Sequence, residues 1–370
     1  MSMRFKAVKD EIYPFIQYAN NFTSPKNLNT ILQNIYIEAE ADGVTLRATD
    51  MQVGFSGKLD VSVETTGIAT VSGKKLLDIV KEIPDGSVID FFFDGSKINI
   101  SAGRSNFKLS TISHEIFPTM AEITPEYSLK IKSSLLLDLI KKTSFCISTD
   151  ASKIEYTGAH IAVYGNKLEV SAADFQRIAT SSITFDDEYA NEFIINIPRK
   201  TVLELNKILE HDEYVEIDTD RKQIIFKIGT IQIYSKLIEK YIKSITKLFS
   251  NDFPLTARLK RSEFLDVIKR VSAITSEITH GVVLSFKEDS LTLYSLETEY
   301  GAGNETIEDY EYTGTPIDII FNSKHMVEMI NNIDTDYFIL KMIADRNPAI
   351  ILPDSGEYKY LVVPISINRF

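Results

Sequence analysis

The residues able to do chemistry are few in this chain and stand far apart. Five histidines, His114, His160, His211, His280 and His325, fall in different predicted elements, so no pair is spaced to share a metal ion or to activate a nucleophile. The one cysteine, Cys146, lies in the stretch SFCIS, a setting that suits a buried small hydrophobe. It has no partner for a disulfide, which points to a reducing, cytosolic setting. No Gly-rich phosphate loop, GxSxG elbow, HExxH pair or paired-cysteine motif is present, and Gly301-Ala302-Gly303 reads as a loop or strand irregularity. Asp186-Asp187-Glu188 and His211-Asp212-Glu213 read as solvated loops. One acidic set remains: Asp50, Asp174 and Glu297 recur at spacings of 124 and 123. A metal-dependent nuclease or phosphatase using Asp50 or Asp174 would need several carboxylates to converge, whereas equivalent positions in tandem domains lie far apart. No catalytic residue, cofactor or metal is expected.

The spacing of that acidic set is the period of the whole chain. Predicted helices cover 10–21, 74–83, 132–143, 199–209, 260–271 and 324–333, two per repeat. Asp10, Ser134 and Ser262 are the expected N-caps of the first helices, and Lys74, Lys200 and Lys324 open the second helices at spacings of 126 and 124. In the second helix of the middle repeat, Val202, Leu205, Ile208 and Leu209 fall on one side and Lys200, Glu204 and Lys207 on the other. That helix should have one buried face and one wet, partly basic face. Strand-like runs follow, joined by turns such as Ala41-Asp42-Gly43, Asp94-Gly95 and Ala102-Gly103. A period this long means tandem domains rather than a solenoid. The expected fold is α+β, with three domains over 1–124, 125–252 and 253–370, each carrying two helices on antiparallel sheet. A length of 370 residues with 44% hydrophobic content suits several cores. No apolar run approaches a membrane span, and the N-terminus lacks the apolar segment of a signal peptide, so a soluble, cytoplasmic protein is expected.

Net charge is −12, which argues against holding nucleic acid simply by neutralising phosphates. The six predicted helices nevertheless carry 14 Lys or Arg against 9 Asp or Glu, leaving −17 on the rest of the chain. If the helices share a surface, it is positive while the sheets are negative. Such a protein could hold a duplex by enclosure, with weak sequence-blind contacts that permit sliding. Ordinary solvated helix faces on a three-domain adaptor are the other reading. The first helix, with Asp10, Glu11 and no basic residue, weakens the case for enclosure.

The stretch GRSNFKLSTISHEIFP (103–118) is similar to the GRSxFxLSTxxxxxFP signature of the bacterial DNA polymerase III beta subunit family, the sliding clamps. TVSGKKLLDI (70–79) and NIPRKTVLEL (196–205) resemble that family's helix entries, and SKLIE (235–239), FNSKHMVEMI (321–330) and YLVVPI (360–365) continue the agreement over the whole chain. The resemblance implies a head-to-tail homodimer, six domains in a ring with helices lining the hole. It implies double-stranded DNA, a clamp loader, the DNA polymerase III alpha subunit and other proteins with a clamp-binding motif as partners. It places a peptide pocket at Ala173, Asp174, Phe175, Gln176, Arg177 and Ile178, with Val362, Val363, Pro364 and Ile365 as one wall and Leu248 opposite. Phe175 and Gln176 stand where the family has glycine and histidine, and Lys243 where proline is common; the tail Asn368-Arg369-Phe370 runs past the usual end. The implied ring interface joins Phe107 and Leu109 to Ala273 and Ile274. Its acidic run is reduced to Glu299 and Glu305, facing Arg104 and Lys108, so a weaker closure is expected. Lys26, Lys74, Lys141, Arg199, Lys200 and Lys207 are the implied DNA contacts, with Lys260, Lys269 and Arg270 added by position.

Overall fold

The computed structural model describes residues 2–120, 122–185, 192–209, 214–242, 248–249 and 252–366. Lys243, the runs 186–188 and 211–213, and the tail 368–370 lie outside them. The first repeat runs β1 (Met3–Val8), α1 (Lys9–Phe22), β2 (Asn34–Glu40), β3 (Gly43–Thr49), β4 (Val53–Leu59), β5 (Val63–Thr65), β6 (Gly67–Ser72), α2 (Gly73–Glu82), β7 (Val88–Phe93), β8 (Lys97–Ala102) and β9 (Ser105–Ser110). The second runs β10 (Tyr127–Lys132), α3 (Ser133–Lys141), β11 (Gly158–Tyr164), β12 (Lys167–Ala173), β13 (Arg177–Thr184), β14 (Phe193–Pro198), α4 (Arg199–Ile208), β15 (Tyr214–Thr219), β16 (Gln223–Ile228) and β17 (Ile231–Lys236). The third runs β18 (Leu255–Lys260), α5 (Arg261–Ser272), β19 (Gly281–Phe286), β20 (Leu291–Ser295), β21 (Asn304–Ile307), β22 (Glu311–Thr313), β23 (Ile317–Asn322), α6 (Ser323–Asn331), β24 (Tyr337–Met342), β25 (Ala349–Pro353) and β26 (Tyr358–Val362).

A strand leads directly into every one of these helices, and this corrects the expected caps. Asp10, Ser134 and Ser262 are second residues of their helices, not N-caps. Val8 and Lys260, the caps of α1 and α5, make no side-chain capping bond. A helix start still needs acceptors for its orphan N–H groups, and a neighbouring loop supplies the first. Lys9 N donates to Ser87 O (2.8 Å), Arg199 N to Thr157 O (3.1 Å), Arg261 N to Asp336 O (2.8 Å) and Ser323 N to His280 O (2.8 Å). The leading strands β1, β10 and β18 are short alternating runs just ahead of the predicted first helices, and the expected order of elements, which opens each repeat on a helix, lacks them.

The chain forms two units, Met1–Leu136 with Leu203–Leu237, and Leu137–Val202 with Ile238–Phe370. The first holds a five-stranded sheet, β5-β1-β7-β8-β9, and an eight-stranded one, β10-β15-β16-β17-β4-β3-β2-β6. The second holds a nine-stranded sheet, β14-β11-β12-β13-β26-β25-β24-β18-β22, and a four-stranded one, β21-β20-β19-β23. The middle repeat is thus shared: β17 pairs antiparallel with β4 of the first repeat, and β13 with β26 of the third.

In the first unit α1 and α2 pack on each other, and α1 covers β3 and β4. Ile12, Ile16, Ala19 and Phe22 of α1 and Leu76 and Val80 of α2 are fully buried, with the Phe22 and Phe55 rings 5.8 Å apart. In α4, Val202, Leu205, Ile208 and Leu209 are buried as the sequence implies. Glu204 departs from the expected wet face: it is buried, accepting from Asn21 Nδ2 of α1 (2.8 Å) and from Lys207 Nζ (2.8 Å).

The opening residue of α1 and of α5 also ties the far end of its partner helix. Lys9 Nζ, itself buried, donates to the carbonyls of Lys81 (3.1 Å) and Ile83 and to Asp85 Oδ1 (2.8 Å). Arg261 donates from Nε to Ile330 O (3.0 Å) and from its guanidinium to Asn331 O (3.2 Å). A cation at a helix C-terminus satisfies carbonyls that lack an intrahelical donor and meets the negative end of the dipole. Lys9→Met should therefore cost about 2 kcal/mol, the scale of a lost charge-assisted bond to buried carbonyls. Amide exchange in α1 and α2 should quicken by roughly 30-fold while α5 and α6 stay unchanged; equal exchange in all four helices would contradict this.

Candidate functional site

Three small or branched residues make one cross-strand row in the second unit. Ala173 of β12 pairs with Ile178 of β13, which pairs with Leu361 of β26. All three are buried, and Tyr156, Ile242 and Phe249 pack against them. The result is an apolar floor with aromatic and aliphatic walls. Phe175 (46%) in the turn after β12, Val363 (37%) two residues past Leu361, and Leu248 (47%), next in sequence to the wall residue Phe249, are exposed. Phe175 leans on Tyr156 with ring centroids 5.3 Å apart. Val363 N donates to Gln176 O (2.9 Å) and Ile365 N to Ile320 O (2.8 Å), which hold the C-terminal segment against the floor.

Strand alternation sorts the expected pocket residues. Ala173, Ile178 and Val363 share the floor's face with Leu361, whereas Val362 lies on the opposite face and is fully buried. Val362 is therefore a core residue, and Leu361 holds the position expected of it. Pro364 is buried, Ile365 half-buried and Gln176 exposed. Tyr156, Ile242, Phe249 and Leu361 were not legible as site residues, because the motif that flags the turn between β12 and β13 does not reach them.

Arg177 points away from the floor. It is buried and bonds Asp174 through Nε (3.0 Å) and Glu328 through NH1 (2.5 Å), with Phe145 beside its guanidinium. These side chains line a polar cleft of about 480 Å³ that also includes Asp150, Arg199 and His325. The turn Asp174–Gln176 divides this cleft from the apolar floor. Burial and the neighbouring Arg177 charge hold His325 below its ordinary range. Burial pushes the Cys146 thiol well up, which keeps it protonated and unreactive.

Two of the three repeat-spaced carboxylates, Asp50 and Asp174, close turns. Asp174 Oδ1 accepts from Gln176 N (2.8 Å) and Arg177 N (2.7 Å), and Asp50 Oδ1 accepts from Gln52 N and Val53 N (both 2.9 Å). Asp and Asn favour this local geometry. Among the described residues no three His, Cys, Asp or Glu side chains group as metal ligands would.

The expected DNA contacts fall in both units. In the first, Lys26 is exposed on the turn after α1, Lys74 is exposed on α2, and Lys207 is exposed but paired with Glu204. In the second, Lys141 is exposed, Lys200 half-buried, and Arg199 donates to Ile147 O (3.0 Å) in the wall of the polar cleft. Lys260 is exposed, and Lys269 lines a groove with Lys324 along α5 and α6. Arg270 instead grips Glu305 of β21 in a two-pronged pair (2.9 and 2.6 Å), which holds that carboxyl below its usual value.

Two of the terminal strands adjoin the expected ring-interface residues. On β9, Phe107 and Leu109 stand opposite the buried Ile100 and Ile98 of β8, so the apolar face of the sheet continues past its last strand. Phe107 is 37% exposed there. In the third repeat β21 is likewise terminal; Ala273 is exposed and Ile274 half-buried near Gly301 and Gly303, in the loop before that strand.

Three family models match in succession: the N-terminal domain of the DNA polymerase III beta subunit over residues 3–121, its central domain over 130–241 and its C-terminal domain over 246–366. Similar curated proteins include a beta sliding clamp from Staphylococcus epidermidis, 28% identical over 353 residues and covering 92% of this chain and 93% of that protein. Another, from Staphylococcus aureus, is 26% identical over 374 residues, with 98% and 99% covered. A solved structure of a DnaN sliding clamp from Bartonella birtlesii bound to griselimycin aligns with a TM-score of 0.94 at 26% identity, covering 99% of this chain and 100% of that one.

Beside the apolar floor, on the same face of the sheet, lies a titratable support. His160 of β11 is buried, and its Nε2 accepts the N–H of Ile242 (3.1 Å), one of the walls. Burial lowers its pKa from 6.5 to about 4. The unfolded chain therefore takes up a proton between those values that the folded chain refuses, and stability falls as pH drops through this window. The expected share is roughly 3 kcal/mol. Denaturation followed from pH 7 to 4 should show a shallower decline for His160→Gln than for the natural chain. Parallel curves would remove His160 as the cause.

Proposed function

Because the chain belongs to the DNA polymerase III beta subunit family, the bacterial sliding clamps, we propose that two copies close head to tail into a six-domain ring around duplex DNA. The chain is a processivity factor with no chemistry of its own. The observation that carries the ring is a pattern of strand junctions. β4 meets β17 and β13 meets β26, in each case the third strand of a hairpin run against the last strand of a repeat. By the same rule β21 requires β9, and among the described residues neither strand has a partner on its outer side. Unpaired strand edges seek another chain, and a head-to-tail pairing satisfies both at once. Phe107 and Leu109 from one copy then cover Ala273 and Ile274 of the other.

In this reading Lys26, Lys74, Lys141, Lys200 and Lys207, with Lys260 and Lys269, guide phosphates inside the ring, and Arg199 contributes its remaining donors. Such contacts are weak and salt-dependent, which suits sliding. The floor at Ala173, Ile178 and Leu361, with Phe175, Leu248 and Val363 on its rim, takes a short segment of the DNA polymerase III alpha subunit or of another partner with Leu or Phe anchors, an apolar site with few polar groups. A clamp loader opens the ring, and the protein works in the cytoplasm; no described helix is long and apolar enough to cross a membrane.

Encirclement is tested by loading onto a nicked circular duplex with a clamp loader and then cutting the circle. Bound protein should be lost through the free ends; retention on the linear product would sink the ring. For the pocket, Ile178→Asp buries a charge in the floor and should weaken a Leu/Phe-anchored peptide by more than about tenfold. Leu248→Asp, on the exposed rim, should do so without disturbing the fold. Unchanged affinity in both variants would move the site elsewhere.

A further inference from the structure

The apolar floor is flanked by two ammonium groups that no described carboxylate neutralises. Lys153 Nζ lies 4.9 Å from the Phe175 ring centroid and 5.9 Å from that of Tyr156. Lys359 Nζ lies 4.7 Å from the Phe249 ring centroid. Lys359 is two residues from Leu361 on β26 and so shares the floor's face, opposite Thr180. The two cations thus sit over different walls of one apolar site. Among the described residues no carboxylate pairs with either, and the nearby Asp174 and Glu328 are both committed to Arg177. An aromatic face attracts a cation and holds it in place, so each ammonium is positioned without being neutralised. In a chain of net charge −12 this is a local reversal of sign.

We propose that the segment held on the Ala173, Ile178 and Leu361 floor carries carboxylate side chains flanking its apolar anchors, and that Lys153 and Lys359 read them. The proposal rests on the peptide-pocket reading above. Apolar anchors supply the affinity, and the two lysines choose among apolar segments by charge, which is what interfacial charges do best. The net negative charge disfavours acidic segments over much of the rest of the surface, and the two lysines reverse that sign beside the apolar floor.

The test is fluorescence polarisation with three peptides that share Leu and Phe anchors and differ in flanks of Asp, Asn or Lys. The Asp-flanked peptide should bind about tenfold more tightly than the Asn-flanked one, the scale of two partly screened ion pairs. In the Lys153→Gln, Lys359→Gln double variant the ratio of the two affinities should shrink below about twofold. Lys153→Glu with Lys359→Glu should reverse the order in favour of the Lys-flanked peptide. Equal binding of the Asp- and Asn-flanked peptides to the natural chain would overturn the charge reading and leave the pocket standing. Binding of all three peptides that is absent, or indifferent to Leu248→Asp, would overturn both.

Discussion

The constraint behind this architecture is that a sheet edge cannot stay unpaired without consequence. Each repeat builds two half-sheets, and a half-sheet of four or five strands ends in a row of backbone N–H and C=O groups. Within the chain the problem is solved twice by the same means, as β4 receives β17 and β13 receives β26 over five residue pairs each. These junctions turn half-sheets into sheets of eight and nine strands and explain why the middle repeat is divided between two units. Contact density therefore follows the sheets, while the sequence repeat follows the order of elements.

The second of these junctions also builds the candidate site. The floor row Ala173, Ile178 and Leu361 exists only because β13 pairs with β26 in one register. A slip of one residue would turn Leu361 into the core and bring Val362 out. The register is held from both sides of the sheet. Tyr360, fully buried on the other face, meets Phe145 edge-on at 5.3 Å, and Val363 N is bonded to Gln176 O. Lys142, also buried, donates to Asn332 O and Asp334 Oδ2 and lies 4.2 Å from the Tyr358 ring centroid, which fixes the start of β26. The site's geometry is thus a by-product of the contact that joins the second repeat to the third.

Much of this was legible in the sequence, and the failures have physical causes. Helix positions followed from apolar periodicity, since helices such as α4 have one buried stripe, and the hairpin at Asp42-Gly43 followed from its turn chemistry. The caps were misplaced because a good capping residue near a helix start is a local signal. The true first acceptors are carbonyls of loops distant in sequence, such as Ser87 O and Asp336 O. Glu204 was read as wet for the same reason: its partner on α1, Asn21, is 183 residues away. In the pocket, the turn around Asp174 could be found by pattern, but the walls Tyr156, Ile242 and Phe249 are gathered from three separate segments by tertiary packing alone.

The remaining edge pair differs from the two internal ones in a way that bears on how a ring would open. β21 has four residues, against the seven of β4 and eight of β13 at the corresponding positions. A junction between copies therefore has fewer ladder bonds to offer than either internal junction, each bond contributing about 1 kcal/mol net. Glu305, near the middle of β21, is already held by Arg270 of the same chain, so it has less to give to Arg104 or Lys108 across an interface. The apolar part of that contact, Phe107 and Leu109 against Ala273 and Ile274, then carries most of the closure. A ring whose internal joints are long and whose joint between copies is short will part between the copies before either chain unfolds. That order of strengths is what loading onto an unbroken duplex demands.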